Sequence, residues 1–118
     1  MIYTFYSYKG GVGRSMAMAN IAWELASRGL RVLAIDFDLE APGLERYFAV
    51  PVADVHASKG VIDLIDAFKR ALSGSGSMAD DAEFRQLPQF IRRGVADFGQ
   101  RGRLDLMPAG RRATEDDK

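Results

Sequence analysis

The chain has 118 residues, 47% hydrophobic and 27% charged, a balance that fits one small globular domain with an ordinary core and excludes a disordered chain. Its 16 basic and 16 acidic residues cancel to a formal net charge of +0, which argues against an electrostatic nucleic-acid binder and leaves no direct nucleic-acid signal. No cysteine is present, so disulfides and thiolate metal sites are excluded.

In chain order, residues 2–8 (Ile-Tyr-Thr-Phe-Tyr-Ser-Tyr) combine aromatic and β-branched side chains and stop at a glycine cluster, which predicts a buried strand. They show neither a basic n-region nor a small-residue cleavage site, so no secretory signal is expected. Residues 15–27 place Met18, Ile21, Ala22 and Leu25 at helical spacing, and Gly29 follows as a terminator. The most apolar part of this helix is broken by Asn20 and Glu24 and is too short to span a bilayer, so no transmembrane segment is expected and a cytoplasmic, soluble protein is.

Residues 31–35 (Arg-Val-Leu-Ala-Ile) form the second predicted strand, ending on Asp36. Strand, glycine loop, helix and strand make one βαβ unit, and such units build parallel sheets, so the fold class is α/β. Residues 36–52 contain Pro42, Gly43 and Pro51 and read as a long functional loop with one helical turn. Residues 60–72 predict a helix with Val61, Leu64, Ile65, Phe68 and Leu72 on one face and Ser58 as N-cap. Residues 73–78 read as a flexible connector, and residues 83–93 as a helix that Pro88 interrupts or starts. Residues 104–107 predict a third short strand before Pro108-Ala109-Gly110, and the charged tail from Arg111 reads as solvated. Three strands are fewer than the roughly five or six of a doubly wound sheet, so the chain reads as the N-terminal part of a larger domain, with apolar surface exposed when it is made alone.

The chemistry concentrates at Tyr8-Lys9-Gly10-Gly11-Val12-Gly13-Arg14-Ser15-Met16. A triphosphate is polyanionic and needs many donors at close range. Gly10, Gly11 and Gly13 let backbone N–H groups point into one concavity, and the helix that follows adds its positive dipole end. Lys9 and Arg14 supply cations at either end, and Ser15 can put a hydroxyl on magnesium. The strict phosphate-loop pattern G-x-x-x-x-G-K-[ST] is broken at Tyr8 and Arg14. Two other readings are a functionless glycine turn, which needs neither cation, and a dinucleotide fingerprint ending on Asp36, whose third glycine is replaced by Met16. His56, the single histidine, reads as a solvent-facing loop residue.

Lys9-Gly10-Gly11-Val12-Gly13-Arg14-Ser15 resembles the deviant Walker A motif, K-G-G-x-G-K-[ST], of the MinD/ParA superfamily, in the subgroup with arginine for the second lysine. Ile35-Asp36-Phe37-Asp38 is similar to the family's second strand and switch I. Residues 38–44 resemble the form of that loop found with the arginine subgroup, and residues 104–110 are similar to the third strand ending in P-A-[GS]. The resemblance implies a P-loop NTPase-type parallel sheet flanked by helices, incomplete in this chain, with residues 1–118 as the N-terminal part of a MinD/ParA-like nucleotide-binding domain. It also implies ATP and Mg2+ as cofactors, an ATP-dependent homodimer, and a partner or appended effector domain. On this resemblance, Lys9 reaches across the dimer to the partner's phosphates and Arg14 holds the β- and γ-phosphates. Ser15 ligates magnesium, Asp36 supports the metal through water, Asp38 positions the attacking water, and residues 9–16 line the nucleotide. Walker B and switch II would lie beyond Lys118. Because arginine is planar, bulkier and always charged, two functions stay open: an ATP-hydrolysing switch, and a module that binds nucleotide without turning it over.

Overall fold

The computed structural model describes residues 1–8, 10, 13–74, 83 and 85–111. Among these, three strands form one sheet in the order β1 (Arg31–Ile35), β3 (Arg103–Met107), β2 (Arg92–Asp97). β1 and β3 run parallel in the register Arg31↔Arg103 to Ile35↔Met107, while β2 is antiparallel to β3. The fold class is α/β, with helices on both faces of the sheet.

Helix α1 (Arg14–Ser27) buries Ala19, Ala22 and Ala26, small residues that let it lie close over Ala34, Leu104 and Leu106. Of the four positions expected to face inward, Ala22 is buried, Met18 and Leu25 are half-buried, and Ile21 is exposed. The buried stripe is narrower than hydropathy alone suggests, because alanine carries it. The helix ends as expected, with Gly29 donating to the Ala26 carbonyl at 3.0 Å. Leu44 and Phe48, from a 3-10 turn over Leu44–Phe48, close this side of the core. That turn is the one anticipated within the long loop.

On the other face, α3 (Val61–Leu72) packs Val61 against Phe90 and Met107. Strand alternation explains the division: Leu104 and Leu106 point to α1, and Met107 points to α3. The expected N-cap Ser58 is replaced by Gly60. There the Val61 and Ile62 N–H groups donate to the Pro108 and Ala109 carbonyls, both at 2.9 Å. A Cβ on residue 60 would stand 2.0 Å from the Pro108 oxygen, so only glycine allows this approach. A short helix α2 (Val52–Ala57) precedes it and was not anticipated; His56 lies on it, half-buried, rather than in a solvent-facing loop.

Two expected elements are corrected. Residues 2–8 form no strand: Ile2, Tyr3, Tyr6 and Tyr8 are exposed, and no described segment pairs with them. Aromatic and β-branched residues favour a pleated, half-buried surface, and here no neighbour provides one. Residues 83–93 are not one helix. A 3-10 turn over Leu87–Phe90, with Pro88 in its first positions, leads straight into β2. Pro88 stops a regular helix, and Phe90 and Ile91 still reach the core. Most of the expected connector at 73–78, and the tail after Arg111, lie outside the described residues.

Candidate functional site

Gly13 stands at the N-cap of α1 with φ +78°, a left-handed conformation that favours glycine and turns the chain into the helix. Among the described residues no side chain caps this helix start and its first turn holds no acid, so the positive end of α1 is left uncompensated by them. Among the described residues, a Cβ at Gly10 or Gly13 would meet nothing within 4 Å. Lys9, Gly11 and Val12 lie outside the described residues. Arg14, Ser15 and Met16 form the first turn of α1; Arg14 and Ser15 are half-buried and Met16 is exposed.

The parallel pairing of β1 with β3 carries Asp36 to the same end of the sheet, where its N–H donates to the Met107 carbonyl at 2.9 Å. Asp36 is buried and its carboxylate organises the loop that follows. Oδ1 accepts the Asp38 N–H, and Oδ2 accepts those of Gly43 and Leu44, each at 3.1 Å. Asp38 returns toward α1. Its Oδ2 accepts from an Arg14 guanidinium nitrogen at 2.8 Å, and the second terminal nitrogen of Arg14 donates to Ser7 Oγ at 3.1 Å. The fold thus brings Arg14, Asp36 and Asp38 to one end of the sheet, with Ser15 one residue behind Arg14 on α1.

These residues suit a nucleotide with magnesium. The open helix terminus and the Arg14 cation suit phosphate oxygens. Asp36 has three of about four lone-pair positions filled by backbone N–H groups, which leaves one on Oδ1 for a water in a metal's outer shell. Among the described residues no group of three or more His, Cys, Asp or Glu could hold a metal ion.

Sequence reasoning missed three features here. Ser7 touches Arg14, a contact invisible in a segment read as a strand. Asp63 accepts from the Gly60 N–H at 2.9 Å and from Arg111 Nε at 3.0 Å, locking α3 to the loop after β3. Burial alone would raise the Asp63 carboxyl, but these donors together with the Arg111 N–H hold it below its ordinary value. Finally, a shallow cleft of about 160 Å³ opens between Leu39, Glu40 and Pro42 on one side and Ile62, Ala109 and Gly110 on the other, beside the loop after β1. None of these linings was singled out by periodicity, because they meet only when β1 and β3 pair.

The CobQ/CobB/MinD/ParA nucleotide binding domain matches residues 3–103. The septum site-determining protein MinD of Helicobacter pylori is 30% identical over 87 residues, covering 74% of this chain and 30% of the relative. The cytosolic Fe-S cluster assembly factor CFD1 of Candida albicans is 42% identical over 52 residues, 44% of this chain and 18% of its own length. The probable plasmid-partitioning protein ParA of Thermus thermophilus is 42% identical over 40 residues, 34% of this chain and 12% of its own. The chain therefore spans less than a third of the length of these relatives. No solved structure gives a significant match. Among the described residues no helix is long and apolar enough to cross a membrane. With a match running from Tyr3 past the glycine loop and Asp38 to Arg103, the chain belongs to the CobQ/CobB/MinD/ParA nucleotide-binding domain family.

Proposed function

We propose that this chain binds Mg-ATP at the start of α1 and serves as the nucleotide site of a dimerising, ATP-hydrolysing switch in the cytoplasm. The observation that carries the reading is the uncapped N-terminus of α1, which opens behind a left-handed Gly13 and bears Arg14, in bonding reach of Asp38. Backbone N–H groups of residues 10–16 cradle the phosphates, and Arg14 grips the β- and γ-oxygens through its planar fork. Lys9 projects to the partner's nucleotide. Ser15 offers a hydroxyl to magnesium and Asp36 holds one of its waters. Magnesium, held there by Ser15 and through water by Asp36, would supply neutralisation of the phosphate charge. Asp38 orients the attacking water, and the Asp36 bonds to Gly43 and Leu44 keep that loop in place. The relatives' names speak of septum placement, Fe-S cluster assembly and plasmid partitioning, which fits one nucleotide module driving different partners or appended domains.

The Arg14–Asp38 pair also favours a second reading, a module that binds nucleotide without hydrolysing it, since the acid meant for water is already engaged. Phosphate release over hours, with gel filtration with and without ATP, separates the two. For the hydrolysing switch, Asp38→Ala retains binding while release falls by about 10²-fold or more. Parental release in Asp38→Ala would remove the water-positioning role, and no release from the parent would select the second reading.

A further inference from the structure

The Asp38 carboxylate divides its oxygens between two tasks. Oδ1 accepts the Ala41 N–H at 3.1 Å and shapes the turn of its own loop, while Oδ2 faces the Arg14 guanidinium at 2.8 Å. The loop does not depend on the second contact for its shape, because Asp36 already holds the N–H groups of Asp38, Gly43 and Leu44. What the second contact adds is a tie. One guanidinium joins the segment before the glycine loop through Ser7, the first residue of α1, and the loop after β1. A lysine in this place would be a single point charge without the fork that spans two acceptors.

Phosphate oxygens at the start of α1 and the Asp38 carboxylate are both anions that want the same planar donor. Arg14 engages two of its five N–H groups, one with Ser7 and one with Asp38, and a triphosphate that draws the guanidinium over the start of α1 draws it away from Asp38, so nucleotide and acid compete for its position. We propose that the Arg14–Asp38 pair is a latch that nucleotide opens: in the empty chain Arg14 holds the loop after β1 against α1, and an arriving triphosphate takes the guanidinium and sets Asp38 free. The proposal rests on the nucleotide-binding reading above. It makes Asp38 a positioning residue for Arg14 as well as for water, and it couples movement of residues 37–43 to occupancy of the site. The pair is partly exposed, with side chains 29% and 33% accessible, so it is weak enough to be displaced.

Asp38→Asn separates the two tasks. Its amide oxygen still accepts from Ala41, and its NH2 replaces the oxygen that faced Arg14. On the full chain, calorimetry with Mg-ATP is expected to show binding about two- to fivefold tighter than the parent's, the size of a surface ion pair no longer in competition. Without nucleotide, amide hydrogen exchange across residues 37–43 is expected to quicken in Asp38→Asn and in Arg14→Gln alike, since each cuts one end of the tie. Unchanged or weaker affinity in Asp38→Asn, with a parent that binds, overturns the latch and leaves the nucleotide site standing. Faster exchange in only one of the two variants also overturns it. A parent that binds no Mg-ATP sinks the nucleotide reading and the latch with it.

Discussion

Asp36 accepts three backbone N–H groups on a buried carboxylate, so its removal strands Asp38, Gly43 and Leu44 together. Asp36→Ala is expected to lower stability by about 2–4 kcal/mol, read as a shift in the urea midpoint. Phe37→Ala, next to it but exposed, is expected to change stability by less than about 0.5 kcal/mol. Equal effects would show that the carboxylate does not organise the loop. The sequence pointed to Asp36 and Asp38 from their place after a strand that follows the glycine loop. It could not show that Asp36 spends most of its oxygens on backbone, because Gly43 and Leu44 return to it only through the 3-10 turn. Nor could it show Arg14 meeting Asp38 across 24 positions, since that contact depends on how far β1 lies from the start of α1.

At the scale of elements, α1, β1, α3 and β3 were legible because each carries its own local pattern: helical spacing, an apolar run, or a terminating glycine. β2 was not. Residues 92–97 contain Arg92, Arg93, Gly94 and Asp97, a polar run that becomes a strand only because β3 offers an edge and Asp105 accepts from the Gly94 N–H at 2.8 Å. The start of α3 was placed correctly but its cap was not, because the capping groups come from residues 108 and 109. Two predictions belong here. Gly60→Ala is expected to destabilise by about 1–3 kcal/mol, since its Cβ would collide with the Pro108 carbonyl. Thermal melting checks it, and a parental melting temperature would mean that the 60/108 contact is loose. The second concerns pH. Asp63 has a folded value below its ordinary 3.8, so its stabilisation is whole above that value and is lost as pH falls through the lower one. Asp63→Asn is expected to be less stable than the parent near neutrality, and the difference is expected to shrink in acid titrations as the pH falls below the ordinary carboxylate range. A constant difference across that range would remove the charge from the account.

The whole molecule shows a sheet covered unevenly. One face of β1 lies under α1, whereas Leu33 and Ile35 on the other face stay exposed, as do Phe37 and the tyrosines of residues 3–8. Residues 31–35 read as an apolar run forming a strand, and only one face of that strand has its cover among the described residues. The isolated 118-residue chain is expected to bind a hydrophobic dye and to self-associate, and Leu33→Lys is expected to reduce both, as followed by fluorescence and light scattering. The central claim is the nucleotide site opened by Gly13 and Arg14. Titration calorimetry of the full chain with Mg-ATP tests it most directly: a saturable heat is expected in the parent, with binding weakened about tenfold or more in Arg14→Gln. No heat at millimolar nucleotide, or an Arg14→Gln isotherm that overlays the parent's, would contradict it.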